Sequence, residues 1–204
     1  LQFGVSILLI VCALLLREQL AFIQHKKLGY DKSHVLALPA DGRVNKTFEA
    51  LRDAFLKIPN VLSVTRSYDS PVHIKGGYNI GKDIAGQDNR PVTAQPAGLD
   101  FLKTLDIELL AGSDFSVADI EKSDRLQTDT TVVLPVLLNE SQVRAFGWTP
   151  AEAVQKNIVF NGSRAETKGV VRDFHFASLH EPIAPLVIFP SSWGRVVLVK
   201  LAGG

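Results

Sequence analysis

The feature that most constrains this chain is an uncharged apolar run close to its first residue. Residues 3–16 contain no charged side chain, and apolar character resumes at residues 20–23 after Arg17, Glu18 and Gln19. A helix needs roughly 20 apolar residues to cross the hydrocarbon core of a bilayer. Long charged side chains near the end of such a helix can extend toward water. The run therefore predicts a membrane-spanning helix whose exit lies at about residues 17–27.

Two other interpretations of this run stay open at the level of sequence, a signal-peptide core and a buried core helix. The basic leader and the small-residue cleavage pattern of a signal peptide are not visible. A lipoprotein cysteine at Cys12 is disfavoured because Val11, directly before it, is not small. The visible basic residues all follow the run, so a charge count would put that side in the cytoplasm. The count sees one flank only and leaves the topology open.

Composition removes several classes of function. The chain has 204 residues, of which 46% are hydrophobic, and 22 basic against 21 acidic residues give a net charge of +1. Such a balance gives no reason to expect a nucleic-acid partner, and one cysteine excludes a disulfide framework within the chain. The chain has no methionine and ends on a strand-like apolar run followed by glycines. We expect it to be a piece of a longer protein.

The part after the apolar run begins with a strand, a helix and a second strand. Val35–Pro39 reads as a short buried strand. Residues 45–60 read as a helix that Asn45 caps, because apolar residues recur there at helical spacing. Residues 61–68 read as the next strand. This order predicts a βαβ-like unit.

The remaining sequence alternates short strands, turns and short helices. From Asp69 it is rich in Gly, Pro, Asn and Asp, which is typical of short strands and turns. Thr149, Pro150 and Glu152 have the spacing of a capped helix start, and Asn161-Gly162 predicts a hairpin turn. The other expected elements are a helix then a strand in 99–116, an exposed polar loop at 117–130, a buried strand then a helix in 131–148, and two last strands at 185–189 and 195–201. The predicted fold class is α+β.

One segment concentrates residues that could carry chemistry. His175 and His180 lie five apart, with Asp173 and Glu181 nearby. Metal binding on one helix face needs histidines at i and i+4, and the prolines that follow forbid a continuing helix. A catalytic His-Asp pair lacks a nucleophile motif such as G-x-S-x-G. The favoured interpretation is a structural joint whose polar side chains bond to backbone. We predict no catalytic, cofactor-binding or metal-binding residue and no cofactor.

Two further features carry no specific chemistry. Gly76, Gly77, Gly81 and Gly86 do not have the spacing of a phosphate-binding loop, so they read as turns. The tryptophans, Trp148 and Trp193, read as core or rim aromatics, with a ligand platform as the alternative. If the protein depends on ATP, the nucleotide binds a different chain or domain.

Several stretches, read together and in order, resemble one family. Gln2-Phe3 opens the apolar run, Gln19 lies in its exit, and "LGYD" at residues 28–31 leads into the first strand. "LDFLKTLDIELLAGSDFS", "VLLNESQVRAFGW" and "GVVRDFHFASLHEPIAPLVIF" follow. The chain resembles FtsX-like permeases of ABC transporters that have a MacB-like periplasmic core domain. It departs from that pattern at Ser113, where an Arg is usual, and at Gln155, where a Gly is often found.

The resemblance implies an arrangement of the chain. Residues 1–27 would be a transmembrane helix with its exit, truncated at its start, in the bacterial inner membrane. Residues 28–204 would be an incomplete periplasmic core domain. Its porter-like base would comprise about residues 35–68 and 168–204, and a strand-rich, sabre-like insertion would comprise about residues 69–167. The segment around Asp173 and His175 would mark the return from insertion to base.

The resemblance also implies a function. The chain would belong to a non-catalytic permease subunit that couples ATP hydrolysis by a cytoplasmic ABC ATPase to motion of an extracytoplasmic domain. The work done could be export, lipoprotein release or mechanotransmission. The implied partners are the ATPase, membrane lipid, a second permease copy or half, and a periplasmic protein, with no nucleic acid. The alternative is a membrane-anchored extracytoplasmic sensor or ligand-binding domain of a signalling receptor.

Overall fold

The first helix of the chain is long and exposed. A computed structural model describes residues 2–25, 28–31, 33–71, 73–82, 88–177 and 181–203, and α1 extends over Gln2–His25. Within the described residues, only Gln2–Leu20 is long and apolar enough to cross a membrane, and no part of that window is buried. This exposure contradicts a buried core helix and is that of a membrane span or a signal sequence.

The rest of the described chain forms a strand-rich domain with short helices. Its helices are α2 (Gly42–Lys46), α3 (Phe48–Leu56), α4 (Phe101–Leu105), α5 (Val117–Arg125), α6 (Glu140–Ala145) and α7 (Pro150–Ala153). Its strands are β1 (Val35–Pro39), β2 (Val61–Ser67), β3 (Gly77–Gly81), β4 (Arg90–Ala97), β5 (Leu109–Gly112), β6 (Leu134–Asn139), β7 (Asn157–Phe160), β8 (Ser163–Val171), β9 (Leu186–Pro190) and β10 (Val196–Leu201). The α+β fold class with an apolar helix in front is confirmed.

The described strands all belong to one sheet that partly closes on itself. The hydrogen-bonded order is β1-β10-β2-β4-β3-β7-β8-β6-β9, with β5 paired to β8. Strand β9 also pairs in parallel with β4, from Thr93 opposite Leu186 to Ala97 opposite Pro190. Strands β4, β3, β7, β8, β6 and β9 therefore form a closed circuit, and β1, β10 and β2 extend from it through β4.

Three clusters of buried apolar side chains hold these parts together. One is small and lies under α3, where Phe48 meets Val64, Val197 and Val199. A second is drawn from all six strands of the circuit and from α6 and α7. The third joins α4 to the strand faces and to the segment after β8, and it includes Tyr30, Phe101, Phe174 and Leu198. This third cluster connects Tyr30, at the beginning of the domain, to β10 and to strands of the closed circuit.

The predicted βαβ-like unit is present in split form. Strands β1 and β2 each pair antiparallel with β10, so they run parallel to each other with β10 between them. Helix α3 connects them and covers the cluster that contains Phe48 and Val64. The chain's last described strand therefore completes a unit that the first 67 residues begin.

The expectation that β1 is buried was wrong. Among the described strands, β1 pairs with β10 alone and so lies at the edge of the sheet, and Leu36 is 47% exposed. Ala40 N–H donates to Arg195 O, and His34 O accepts from Leu201 N–H. The alternation of an antiparallel ladder then turns the backbone groups of Val35, Ala37 and Pro39 to the open edge.

The predicted cap of the helix that follows β1 was also wrong. The helical region is divided into α2 and α3, and Asp41 caps α2 by accepting from Arg43 N–H and Val44 N–H, both at 2.9 Å. Asn45 lies inside α2. Its side chain bonds to Gly194 instead, donating to Gly194 O at 2.7 Å and accepting from Gly194 N–H at 2.9 Å.

Residues 117–130 were predicted as an exposed loop, and α5 corrects this over its first nine residues. Ser116 precedes the helix, and its N–H and hydroxyl both donate to Asp119 Oδ2, at 2.7 and 2.6 Å. A carboxylate that binds the donors at a helix start stabilises the first turn. The helix was not predicted because most of its side chains are polar, which is also typical of an exposed loop.

Two local predictions were confirmed. Thr149 caps α7, whose first residue is Pro150, and Glu152 accepts from Thr149 N–H at 2.9 Å. Asn161 and Gly162 join β7 to β8 with φ of 49° and 81°, the left-handed pair that a tight hairpin turn requires.

Candidate functional site: the junction between helix and domain

The most elaborate contacts of the chain's early residues lie where α1 leads into the domain. Only Lys26 and Lys27 separate His25, the last residue of α1, from Leu28. Residues 28–31 then contact residues 172–176, which follow β8, together with α4 and β10. We call residues 28–31 and 172–176 the junction.

Gly29 brings the two backbones of the junction into direct contact. Its φ is +80°, and a Cβ at this position would lie 2.6 Å from Asp173 O and 2.8 Å from Phe174 Cα. The next hydrogen bond confirms the approach, because His175 N–H donates to Leu28 O at 2.7 Å. A side chain at residue 29 would therefore separate two segments that are 144 positions apart in sequence.

Tyr30 inserts into the apolar cluster beside α4. It is buried, and its ring meets Phe174 edge to face with 6.0 Å between centroids. Phe174 contacts Phe176 in the same way at 5.9 Å. Burial raises the pKa of Tyr30, so the phenol stays neutral and the ring acts as an apolar anchor.

Asp31 ties the junction to both α4 and β10. Its N–H donates to Leu105 O at 2.8 Å, and its carboxylate lies 2.6 Å from Lys200 Nζ. The hydrogen bond from Lys200, with a further one from Ser33 N–H, lowers the pKa of Asp31 from 3.8 to about 2. The side chain of Asp31 is 43% exposed, so this ion pair is partly screened by water.

Asp173 connects the junction to α6. Its carboxylate accepts from Ser141 N–H at 2.9 Å, from Ser141 Oγ at 2.8 Å and from Arg144 Nη2 at 2.6 Å. Its own N–H donates to Glu140 Oε2 at 2.9 Å. Because three donors converge on one largely buried carboxylate, Asp173 fixes the position of the segment after β8 against the circuit.

The segment singled out in the sequence thus has the contacts of a polar joint. Asp173 bonds to a neighbouring helix, and the backbone of His175 bonds to Leu28. His180 lies outside the described residues. Within the described residues, no group of three or more His, Cys, Asp or Glu side chains could hold a metal. That the chain lacks catalytic, cofactor and metal residues stays a prediction.

The other singled-out residues lie elsewhere. Trp148 packs on Phe146 with ring centroids 4.9 Å apart, whereas Trp193 is 43% exposed and contacts Tyr68 in a tilted arrangement with centroids 5.5 Å apart. Gly76 is required by close contact, because a Cβ there would lie 2.4 Å from Ala94 O. Gly86 lies outside the described residues.

A polar cleft of about 410 Å³ opens beside α5 and β8. Asp119 and Lys168 form an ion pair in it, and the hydrogen bond from Lys168 helps to hold the pKa of Asp119 down against its burial. Sequence reasoning missed this cleft because it predicted α5 as a loop. The spacing of Ser116 and Asp119, a capping-box pattern, was the available signal.

The two departures from the family pattern lie at this cleft. Gln155 has a φ of 65°, a left-handed conformation that explains why glycine suits the position. Gly112 has a φ of 79°, and a Cβ there would lie 2.2 Å from Lys168 O. Ser113, which follows it, lines the cleft.

Comparison with solved structures gives the fold. Over 85% of this chain and 77% of the other, it matches the periplasmic region of MacB from Actinobacillus actinomycetemcomitans, with a TM-score of 0.54 and 15% identity. The chain has the MacB periplasmic fold. It also matches the extracellular domain of the noncanonic ABC-type transporter YknZ from Gram-positive bacteria, over 83% of each chain, with a TM-score of 0.50 and 11% identity.

The resemblance read from the ordered motifs is therefore confirmed as a fold. At 15% and 11% identity the likeness to MacB and YknZ shows the fold alone. No protein-family model matches the chain, and no curated protein matches it.

Proposed function

We propose that this chain is the membrane-anchored, extracytoplasmic part of a non-catalytic ABC transporter permease subunit. The proposal rests on one observation. An exposed apolar helix, α1, is followed directly by a domain with the MacB periplasmic fold, and residues 28–31 dock onto that domain. A separate cytoplasmic ATPase would hydrolyse ATP, and this chain would move in response.

The junction would transmit the movement. A helix moves as a unit because its backbone hydrogen bonds are internal, and only two residues lie between α1 and Leu28. Gly29, Tyr30 and Asp31 contact the segment after β8, α4 and β10. A displacement of α1 would therefore reach both β10 and the closed circuit of strands, rather than a single loop.

The proposal includes a location and partners. The domain from about residue 28 onward would lie outside the inner membrane, as MacB's periplasmic region and YknZ's extracellular domain do by name. The partners would be the ABC ATPase, membrane lipid, a second permease copy or half, and a periplasmic protein. Export, lipoprotein release and mechanotransmission are the candidate outputs.

We further propose that the domain divides into a porter-like base of about residues 35–68 and 168–204 and a sabre-like insertion of about residues 69–167. The separate apolar cluster under α3 supports a base built from β1, β2 and β10. Strand β8 crosses the proposed boundary, and β9 pairs with β4 and β6. The two parts would therefore move as connected units.

The first test is copurification of the full-length gene product with its ATPase. The tagged protein should bring down an ABC ATPase whose hydrolysis of ATP is measurable in the complex. A topology measurement accompanies it, in which Leu62→Cys, on a background where Cys12 and any other cysteine of the gene product are replaced by Ser, is labelled by a membrane-impermeant maleimide from the outer side. The proposal fails if no ATPase copurifies, or if Leu62→Cys is labelled only after the membrane is opened.

The second test concerns coupling. Addition of ATP and vanadate to the complex should change hydrogen exchange in residues 28–31 and 172–176. In Gly29→Ala the added Cβ would push the two segments apart, so ATP hydrolysis should persist while the exchange response is lost. The turn glycine Gly162, where a Cβ meets nothing within 4 Å, provides the matched control, Gly162→Ala. Equal responses in the two variants would contradict transmission through the junction.

A second candidate function rests on the polar cleft beside α5. Its volume of about 410 Å³ falls within the range of about 300–1,000 Å³ that small-molecule sites occupy, which favours a membrane-anchored sensor or ligand-binding domain. This candidate predicts a cytoplasmic output module in the full gene instead of an ATPase partner. A screen of polar metabolites by thermal shift, repeated with Glu166→Gln and Lys122→Gln at its lining, would detect such a ligand.

A further inference from the structure

A small groove between α3 and α5 contains a buried cation, Arg66, whose ion-pair partner is a largely exposed glutamate, Glu49, at 3.6 Å. The groove has a volume of about 110 Å³ and apolar walls that include Phe48, Leu99, Val117 and Ile120. Its charged lining residues are Arg52, Arg66, Glu49 and Glu121. Small-molecule sites are larger, about 300–1,000 Å³. The groove has room for one side chain of a larger partner.

Arg66 is the unusual member of the groove. Its side chain is 9% exposed, and its Nε is buried with no hydrogen-bond partner among the described residues. Nη1 lies 3.4 Å from Asn45 O, and Nη2 lies 3.6 Å from a carboxylate oxygen of Glu49, whose side chain is 69% exposed. An arginine has five N–H donors, and burying a cation without close partners is unfavourable. The site is therefore incomplete as it stands.

Arg52 adds a second guanidinium to the same groove. Its Nη2 lies 2.6 Å from Asp100 Oδ2, but its Nε is also buried and has no hydrogen-bond partner in the part of the chain that the structure describes. The ring of Phe48 supports Arg66 from one side, with 4.2 Å between the guanidinium carbon and the ring centroid. The two cations are thus held in place before any ligand arrives, which lowers the cost of binding.

The rim of the groove has the composition of an interaction surface. Val117 is 61% exposed although it is apolar, and Glu121 lines the same side. Arginine, which lines the groove at residues 52 and 66, is one of the residue types enriched among the energetic centres of protein interfaces.

We propose that this groove binds a peptide segment of a partner protein in which a carboxylate is flanked by an apolar side chain. The carboxylate supplies Arg66 with a closer acceptor than the exposed Glu49, which lies 3.6 Å away, and the apolar side chain covers Val117, Ile120 and Phe48. Carboxylates match guanidinium groups in two-point hydrogen bonds. The inference goes beyond the proposed function and does not depend on it, because the groove would serve a transporter or a receptor alike.

The probe is a phage-displayed library of random peptides, with free and blocked carboxyl ends, panned against the full-length protein in detergent. Selected peptides should carry Asp, Glu or a terminal carboxylate next to Leu, Ile, Val or Phe. For the best peptide, replacing Asp by Asn should weaken binding about tenfold, which corresponds to ~1.4 kcal/mol. A selected set without carboxylates, or no selected set, overturns the proposal.

The variants locate the site on the protein. Val117→Glu should weaken peptide binding about tenfold by repulsion, and Val117→Lys should not, although both place a charged chain at an exposed position. Leu62→Glu, at an exposed position that does not line the groove, is the matched control and should bind normally. Arg66→Met tests the cation itself, and Arg52→Gln does so if Arg66→Met does not fold. Unchanged binding in Val117→Glu overturns the proposal.

Two other occupants are outcomes of the same series. If Val117→Glu and Arg52→Gln abolish binding to phosphatidylglycerol vesicles but leave peptide binding intact, the groove recognises a lipid headgroup and the proposal is wrong. If they abolish a concentration-dependent dimer instead, the occupant is a second copy of the chain. ATPase copurification should be unaffected by these variants, so failure here is separate from failure of the transporter proposal.

Discussion

The charged side chains of the junction and those of the groove between α3 and α5 differ in how fully they are hydrogen-bonded. At the junction, Asp173 accepts three hydrogen bonds and Asp31 has Lys200 and Ser33 as partners. In the groove, Arg66 is more deeply buried than Asp31, yet no described residue bonds to its Nε. A saturated network fixes one arrangement of the chain, whereas an unsaturated cation remains able to bind something else.

This difference separates structure from recognition within one domain. Removing a junction contact should cost stability, because the remaining partners are left unsatisfied. Removing the groove cation should cost little stability, because a buried ion without good partners contributes little to folding. Four substitutions test the comparison, and they are described from the largest expected loss of stability to the smallest.

Gly29→Ala should destabilise the chain by about 3 kcal/mol, since the alanine would adopt a left-handed conformation and its Cβ would clash with Asp173 O. Thermal or urea unfolding in detergent measures this. Gly162→Ala has a similar φ and an open surrounding, so it should lose only about 1 kcal/mol. Similar losses in the two variants would show that contact at the junction is unimportant.

Asp173→Ala should lower the free energy of unfolding by about 2 kcal/mol, because Ser141 N–H and Arg144 would lose their acceptor. Arg144→Ala removes one exposed donor from the same network and should cost about 0.5 kcal/mol. Urea midpoints of the two variants provide the measurement. A loss in Arg144→Ala as large as that in Asp173→Ala would contradict the view that the carboxylate is the centre of the network.

Asp31→Asn should cost about 0.5–1 kcal/mol at neutral pH, as expected for a partly exposed ion pair. The pKa of Asp31 is lowered from 3.8 to about 2 on folding, so its stabilising effect is complete above about pH 4 and is lost as the pH falls toward 2. Unfolding measured from pH 2 to 6 should show a shallower acid slope in the variant. An unchanged slope would mean that Lys200 does not hold this carboxylate.

Arg66→Met should leave the free energy of unfolding within about 1 kcal/mol of the wild type, or increase it. Methionine keeps the contact with Phe48 and removes the unpartnered Nε. Calorimetry or urea unfolding decides the outcome. A loss of more than about 2 kcal/mol would place Arg66 with the junction residues, as a structural cation.

Much of the fold could be predicted from local pattern. The turn at Asn161-Gly162, the cap at Thr149 and the strands from Val35 to Leu201 depend on nearby residues, so their signals are readable one segment at a time. Helix α5 was missed because its apolar residues are few and its cap uses Asp119 in place of the glutamate that a search for capping boxes expects first. Attention to that spacing would have found it.

The rest depended on contacts between distant segments. Asn45 does not cap a helix because it bonds to Gly194, 149 positions away. Val35–Pro39 has the apolar composition of a buried strand, but its place at the sheet edge is decided by β10. Residues 28–31 were expected to lead into the first strand, but nothing in the sequence indicates that Gly29 contacts Asp173. Nothing in the sequence around Arg66 indicates that its Nε lacks a partner.

The position of Pro39 at the open edge has a consequence for the behaviour of the chain among its neighbours. Its nitrogen carries no hydrogen and lies among the outward-facing backbone positions of β1. A strand from another molecule that paired with β1 would find no N–H donor at Pro39. The hydrogen-bonded ladder between molecules would therefore be interrupted at that residue. Pro39 therefore limits self-association at the edge of the sheet where the exposed, apolar side chain of Leu36 would otherwise favour it.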